Sequence, residues 1–424
     1  MSRRQIRGVT RLDVRGCRKR VAVTGVGIIS PIGNGSEGFW RALCERATGP
    51  TQTAECVREE QGPRTAGRIA QLALSAAQFA FEDARRPDLE GEAAEAGIFL
   101  GANLDDVNLV GLCRSFRTAG GSLTKDPDWR EFARRAREHL HPFDYLRALS
   151  NMPAAHLAIR YGARGACCSY VAHGISGAEA IGDAYVAVRE GRLAWALAGG
   201  ADTWLTPWGV WRRGILGGSG QTRCRPFGNQ RSGPRLGEGA AVIVLEPLET
   251  ARARRARVYA ELAGYATSLD ASVFPAPARG AGLARCIRAA LADARIDARD
   301  VDYVSAHGEG SMAGDRLEAW ALRQVFGAAL PPLGCVKART GHLGAASGAV
   351  EAAATAMAME RQHLPEGARP DEIDPDLDLP APRPRVSSAQ VEWALNVAHH
   401  VLGLSAALVF RRARADGDSL PSGS

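Results

Sequence analysis

Tyr170-Val171-Ala172-His173-Gly174-Ile175-Ser176-Gly177-Ala178-Glu179-Ala180-Ile181-Gly182 reads as the end of a strand, a sharp turn and the start of a helix. Gly174 and Gly177 permit the turn. The run from Ile175 to Val188 is mostly small and apolar, which predicts a largely buried helix. A buried helix N-terminus presents unpaired N–H groups and the positive end of a dipole. Enzymes often place a nucleophile at such a spot, and here the position that would carry it is a glycine, Gly174.

The same alternation of strand and helix extends in both directions. Arg20 to Gly27 reads as a buried strand, Ser36 to Cys44 as a helix with Ser36 as N-cap, and Arg68 to Ala84 as a helix with a broad apolar face. A short strand at 97–101, a charged helix near 129–140 and a helix at 152–161 lead to 165–171, the strand before the opening stretch. Strands follow at 193–199 and 240–245, then a charged helix at 249–257. A second alternation runs as strand 258–267, helix 280–294, strand 302–306, helix 315–326 and helix 342–362, closing with strands at 391–398 and 405–411. This order predicts an α/β protein of two similar halves, 20–255 and 256–412, each with helices flanking a sheet. Direct self-similarity between them is not visible. Gly25-Val26-Gly27 is a poor dinucleotide fingerprint, because the third glycine falls at Ser30 and Pro31 interrupts the helix start.

Composition is that of a globular protein: 424 residues, 46% apolar and 23% charged. No run of 18 apolar residues predicts a membrane span, and the basic N-terminus lacks the apolar core of a secretory signal; the expected location is cytoplasmic. The formal charge of +7 is not a nucleic-acid footprint. Residues 1–20 hold eight basic side chains and one acid, whereas the rest holds 45 of each sign. The excess is a tail, read as a disordered leader over 1–19, with a second polar tail over 413–424. Nine scattered cysteines without CxxC spacing predict neither a zinc site nor a disulfide framework. Lysine occurs only at 19, 125 and 337 against 50 arginines, so Lys337 inside a Gly/His motif points to a need for a compact ammonium.

Three more stretches carry chemistry. Ser305-Ala306-His307-Gly308-Glu309-Gly310-Ser311 takes a histidine off a strand and runs into a helix bearing Asp315 and Glu318. Val336-Lys337-Ala338-Arg339-Thr340-Gly341-His342-Leu343-Gly344-Ala345-Ala346-Ser347-Gly348 is followed by Glu351. Arg225-Pro226-Phe227 leads to Gly237-Glu238-Gly239-Ala240. Two histidines in glycine-rich turns suit stabilisation of a thioester oxygen as it gains negative charge. Lys337 could pair with Glu318 or with Glu351 and set the histidine tautomers.

With these motifs the chain resembles the β-ketoacyl synthases, the thiolase-fold condensing enzymes of fatty-acid and type II polyketide synthesis. The likeness spans about residues 20–412 and includes Val23-Thr24-Gly25-Val26-Gly27, Ser30-Pro31-Ile32-Gly33 and Ala198-Gly199-Gly200-Ala201-Asp202. It implies the thiolase fold, two βα halves in αβαβα layers. It places His307, Lys337 and His342 on the family's catalytic set and Asp315, Glu318 and Glu351 on its supporting acids. Phe227, Ser311 and Asn396 fall on substrate-facing positions. Acyl carrier protein (ACP) is the implied partner, its phosphopantetheine being the substrate carrier, together with a ketosynthase subunit or a second copy across the strand at 165–171. No bound cofactor, metal, nucleic acid or membrane is implied.

The departures bear on function. Where the family has Thr-Ala-Cys-x-Ser-Gly this chain has Ala172-His173-Gly174-Ile175-Ser176-Gly177, so the nucleophile's place is taken by Gly174. Cys167 and Cys168 lie on the incoming strand, too early to replace it. The family's C-terminal Asn-x-Phe-Gly-Phe-Gly-Gly loop is Asn396-Val397-Ala398-His399-His400-Val401-Leu402-Gly403, and its first pantetheine-contacting threonine is Glu309. A covalent acyl-enzyme is not expected. The expected function is that of a chain-length-factor-like, non-condensing subunit beside an active ketosynthase. The alternative is malonyl-ACP decarboxylation or other non-condensing thioester chemistry on His307 and His342. His173, His399 and His400 remain open as parts of a different site.

Overall fold

The computed structural model describes residues 18–45, 53–54, 63–85, 95–104, 108–207, 209, 224–270, 280–365, 373–379 and 390–413. Almost all of the basic leader and the polar C-terminal tail, and much of the turn-rich 48–65 segment and the Pro/Asp loop after 364, lie outside the described residues.

The strands are β1 (Val21–Ser30), β2 (Gly33–Asn34), β3 (Ala96–Ala102), β4 (Cys167–Tyr170), β5 (Trp195–Thr203), β6 (Glu238–Pro247), β7 (Ala260–Leu269), β8 (Tyr303–Ser305), β9 (Leu333–Gly334), β10 (Trp393–His399) and β11 (Leu404–Arg411). The helices are α1 (Gly35–Cys44), α2 (Arg68–Asp83), α3 (Leu109–Thr118), α4 (Trp129–His139), α5 (Asp144–Ala148), α6 (Met152–Arg160), α7 (Ser176–Arg189), α8 (Leu248–Ala253), α9 (Ala281–Ala294), α10 (Met312–Phe326), α11 (Lys337–Thr340) and α12 (Ser347–Arg361).

The repeat that the sequence hides is explicit in the strand order. In the first half it is β4-β3-β5-β6-β1; in the second, read from the other end, it is β9-β8-β10-β11-β7. Ranked within each half, both orders are 3-2-4-5-1. The directions match as well: the first three strands of each order are mutually parallel and the last two join antiparallel. The halves are not two separate sheets. Val21, Ala22 and Val23 of β1 pair with Leu262, Glu261 and Ala260 of β7, which makes one continuous hydrogen-bonded path.

Both faces of the central strands are buried, so they read as unbroken apolar runs. On β6, Ala241, Ile243 and Leu245 face the middle of the molecule with α7 and α12, while Ala240, Val242 and Val244 face α2 and α6. On β11, Leu408 and Phe410 join the middle cluster and Ala407 and Val409 face α9 and α10. The layers are therefore outer helices, sheet, the α7/α12 pair, sheet, outer helices: the αβαβα arrangement of the thiolase fold. Helices press onto strands at matched glycines. A Cβ at Gly25 would stand 2.2 Å from the Ala80 carbonyl and 2.7 Å from Ala84 Cβ; one at Gly264 would stand 2.4 Å from the Ala290 carbonyl and 2.8 Å from Ala294 Cβ.

Several boundaries differ from expectation: α1 begins at Gly35 after Asn34, so Ser36 is not its N-cap and its hydroxyl donates to Asp83 instead, and the charged helix expected over 249–257 ends at Ala253. The helix expected over 342–362 begins as a 3₁₀ turn at Gly344–Ala346 and turns α-helical only at Ser347, because Gly344 takes a left-handed φ of 58°. The helix expected from 315 starts at Met312, where the Ser311 hydroxyl accepts the Gly314 N–H. Among the described residues no helix is long and apolar enough to cross a membrane.

Candidate active site

The heads of α7 and α12 meet at the centre of the molecule. Each is a 3₁₀ turn followed by Ser-Gly-Ala: His173–Ile175 before Ser176-Gly177-Ala178, and Gly344–Ala346 before Ser347-Gly348-Ala349. Ser176 Oγ accepts the Ala172 N–H at 2.8 Å, and Ser347 Oγ accepts the Leu343 N–H at 2.9 Å. His173 holds a left-handed φ of 53°, an uncommon place for a non-glycine residue. Gly174 does not.

Gly174 faces two histidines. A Cβ there would stand 3.2 Å from Cε1 and 3.3 Å from Nε2 of His342, and 3.4 Å from Cε1 of His307. The glycine thus occupies the point at which a side chain on the α7 head would address both rings. Cys167 and Cys168 do not come there; they lie on the edge strand β4, with Cys167 exposed.

His307 leaves β8 in a turn fixed by Glu318, whose carboxylate accepts the His307 and Gly308 N–H groups at 2.7 and 2.8 Å. Lys337, at the start of α11, donates to the His307 carbonyl at 2.7 Å and to His307 Nδ1 at 3.0 Å, and contacts Glu351 on α12. Of the two acids open to it, Lys337 thus takes Glu351. Burial pushes the Glu351 carboxyl up to about 7 against the pull of Lys337. His342 accepts the Gly344 N–H at Nδ1 at 3.0 Å and stacks on Trp204, whose indole donates to Asp202. Asp202 also accepts the Ala345 N–H and so holds the turn that carries His342.

These bonds fix the tautomers. An ammonium and a backbone N–H can only donate, so both Nδ1 atoms are acceptors. Burial, followed by the nearby Lys337 charge, holds both rings well below the usual histidine range, and they are neutral at pH 7. A neutral ring with an accepting Nδ1 carries its proton on Nε2. His307 and His342 therefore present two Nε2–H donors, and among the described residues His307 Nε2 has no hydrogen-bond partner.

Glu309 is the residue whose position the sequence did not foresee. It is buried, and its Oε1 accepts the Ser311 hydroxyl. Its Oε2 lies 3.8 Å from His307 Nε2 and 4.0 Å from His342 Nε2, turned to the histidines. Burial raises its pKa, but His342, His399 and the Ser311 hydroxyl outweigh that and hold the carboxyl below its usual value. The ligand atoms of His307, Glu309 and His342 fall within 4.8 Å of one another. A metal needs a lone pair at each Nε2, and the tautomers set by Lys337 and Gly344 put protons there; the trio does not fit a metal ion.

The other expected site residues are placed as follows. Asp315, pushed well up by burial, accepts the Phe227 and Gly310 N–H groups at 2.6 and 3.0 Å and ties two loops together. Phe227 is wholly buried with Ala306, Ala319, Cys335 and Leu377, so its ring is a strut of the wall. Ser311 is occupied in capping α10 and in holding Glu309. Asn396 sits on β10 opposite Ser305, and neither atom of its buried amide has a hydrogen-bond partner among the described residues. His399 packs against His307 with centroids 4.5 Å apart, its Nε2 lying 3.5 Å from Glu318 Oε2, and His400 stacks on His173 at 4.5 Å. Five of the nine histidines thus gather around one point. Sequence reasoning gave no role to Asp202, although it closes the quoted Ala198–Asp202 motif, and missed Trp204 and Arg231, which bonds Asp374 at 2.6 Å and reaches Asp315; neither of the latter stands in a pattern that marks it.

Comparison with known proteins agrees with the geometry. Residues 58–251 match the model for the N-terminal domain of beta-ketoacyl synthases, and residues 259–369 match the model for the C-terminal domain. A polyketide beta-ketoacyl synthase of Streptomyces halstedii is 32% identical over 92% of this chain and 97% of its own. The ishigamide ketosynthase/chain length factor superimposes with a TM-score of 0.83 at 29% identity, covering 94% of this chain and all of the other. A type II polyketide synthase ketosynthase complex with its acyl-carrier protein, bound to the hexaketide, superimposes at 0.79 and 26% identity over 93% of this chain.

Proposed function

The chain belongs to the β-ketoacyl synthase family, and on that premise we propose that it is a non-condensing member acting on acyl chains that ACP carries as phosphopantetheine thioesters, as a chain-length-factor-type partner of an active ketosynthase. One observation carries this reading: the position facing both histidines is Gly174, which has no side chain to hold an acyl group. Condensation needs that covalent intermediate. A backbone N–H at the helix head remains, which can only donate.

The pairing side of the proposal is supported by β4. Among the described residues it ends the strand order with only β3 as neighbour, and Cys167 and Ser169 on it and Val171 just after it are exposed. An open edge of this kind is a template for a second chain. The similarity to a solved ketosynthase/chain length factor points the same way. The test is co-expression with an intact ketosynthase encoded beside it. A stable heterodimer is expected; an obligate homodimer that ignores the ketosynthase would overturn the pairing.

A second reading, decarboxylation of malonyl-ACP, is favoured by the complete His307, Lys337 and His342 set, whose two Nε2–H donors could hold an enolate. Glu309 weighs against it, since a malonyl carboxylate would enter beside a buried carboxylate. Acetyl-ACP appearing by mass from malonyl-ACP, and lost in His307→Ala, would reverse that order.

A further inference from the structure

We propose that His307, His342 and Glu309 form a hydrolytic site for uncharged acyl thioesters, with Glu309 as general base and the two Nε2–H groups as the oxyanion donors. The proposal rests on the reading above only in taking a pantetheine thioester as the substrate. Its own support is the convergence of three groups that no nucleophile interrupts.

Three features of the geometry point to it. Glu309 Oε2 is 3.8 and 4.0 Å from the two Nε2 atoms, beyond hydrogen-bond length, so the carboxylate faces both donors without consuming either. Oε1 is pinned by the Ser311 hydroxyl, which is itself pinned as the cap of α10, and among the described residues no hydrogen bond engages Oε2. And at Gly174 no Cβ or thiol stands between the α7 head and the rings. Two donors and one acceptor, held on the β8–α10 loop (His307 and Glu309) and on the turn before α12 (His342), match what addition of water to a carbonyl requires: a base for the water proton and donors for the oxygen that gains charge.

The step balances as follows. Water gives a proton to Glu309 Oε2 as its oxygen bonds to the thioester carbonyl carbon. The carbonyl electron pair moves onto oxygen, which the His307 and His342 N–H groups hold. Collapse restores the C=O bond and breaks the C–S bond. The departing thiolate takes the proton back from Glu309, leaving a free acid and the pantetheine thiol, with one water consumed and no bond to the protein. The negative Glu309 selects an uncharged acyl group over malonyl. Lys337 and Ser311 are positioning residues: one sets the His307 tautomer, the other aims the carboxylate.

The experiment uses the full-length protein with octanoyl-pantetheine, malonyl-pantetheine and octanoyl-ACP in ¹⁸O-water. Thiol release, ¹⁸O in the acid and the intact mass of the protein are followed. Expected are octanoyl-pantetheine hydrolysis with one ¹⁸O in the acid, no acyl adduct on the protein, and malonyl-pantetheine at least about 10-fold slower. Glu309→Gln, which keeps an acceptor for Ser311, should lose about 100-fold or more at unchanged melting temperature. Thiol release no faster than in buffer, an undiminished rate in Glu309→Gln, or preference for malonyl-pantetheine would each overturn the proposal. ACP association, measured separately by co-elution, tells the two readings apart. Binding without hydrolysis sinks only the hydrolytic site; hydrolysis of octanoyl-pantetheine without ACP binding supports it and sinks the carrier-protein reading.

Discussion

The heads of α7 and α12 are built alike and have kept different things. Both turn through a 3₁₀ segment, both are closed by a serine that accepts an N–H four residues back, and both cross at a glycine. The α12 head keeps its chemistry: His342 sits just before it, tautomer fixed and ring stacked on Trp204. The α7 head keeps its geometry and has no side chain at the position that faces both histidines. The difference separates what the fold needs from what condensation needs. The crossing glycines and capping serines are structural on both sides, and the nucleophile is not among the supports.

The largest expected effect tests the shared part. A Cβ at Gly177 would stand 2.7 Å from the Ala345 carbonyl and 2.9 Å from Ala349 Cβ, with backbone on one side and a packed helix on the other. Gly177→Leu should cost about 4 kcal/mol or more, read as loss of the cooperative urea transition or of soluble protein. If it is tolerated within about 1 kcal/mol, the two heads do not depend on their close approach.

Next is the support of the α12 side. Lys337→Met keeps the volume and leaves Glu351 buried without its cation. Such losses cost about 3–5 kcal/mol, and the lower end is expected because Glu351, already raised to about 7, escapes by binding a proton. Urea denaturation at pH 8 and pH 6 should show the larger loss at pH 8, where that escape is weakest.

Much of this was legible from the chain and some was not, for physical reasons. His307, Lys337 and His342 stand in glycine-rich turns whose spacing is chemically suggestive, and the Gly174 substitution is visible in the motif that contains it. The duplicated fold was readable only as an order of strands and helices. Its repeat resides in strand order and direction, and any residue that is buried on two faces satisfies that arrangement, so no sequence echo is required. Glu309 was legible as a misfit near pantetheine, whereas its direction depends on Ser311, two residues on, choosing to cap α10 and hold Oε1. The grouping of His173, His399 and His400 depends on β10 lying beside β8, a pairing between residues 91 positions apart that no local pattern encodes.

That histidine grouping gives the next effect, a pH dependence. His307, His342 and His400 all have pKa values depressed by burial first, His400 to about 4. A depressed base binds more protons unfolded than folded, so its contribution is intact above pH 6.5 and is lost as pH falls toward the folded value. Glu351 is raised and works in the opposite sense between its ordinary value and about 7. Asp315, raised well above its ordinary value by burial, works with Glu351, so three histidines act against two acids, and the histidines' own contribution falls from pH 6.5 to pH 4.5. His400→Asn should flatten that fall by about 1 kcal/mol per pH unit between pH 6 and 5. An unchanged slope would remove His400 from the buried cluster, and with it the stacked pair that borders the α7 head.

The smallest change in stability is expected where the change in chemistry is largest. Gly174 has no left-handed φ, so its backbone accepts a Cβ, and the three atoms nearest that Cβ, at 3.2–3.4 Å, all belong to the edges of two rings. Gly174→Cys should therefore cost under about 1 kcal/mol. Its thiol would stand between two N–H donors, which favour the thiolate, and near the Glu309 carboxylate, which opposes it. If Glu309 also directs water, any acyl group that reached Cys at this position would be removed again. Intact mass after exposure to octanoyl-ACP should then show little adduct on Gly174→Cys and a stable adduct on Gly174→Cys/Glu309→Thr. Equal adduct on both would mean that the carboxylate neither restrains the thiol nor serves as a base, and the two helix heads would differ by one missing sulfur alone. No adduct on either would place the remaining defect in 396–403, where the chain carries His399 and His400 in place of the family's glycine-rich loop.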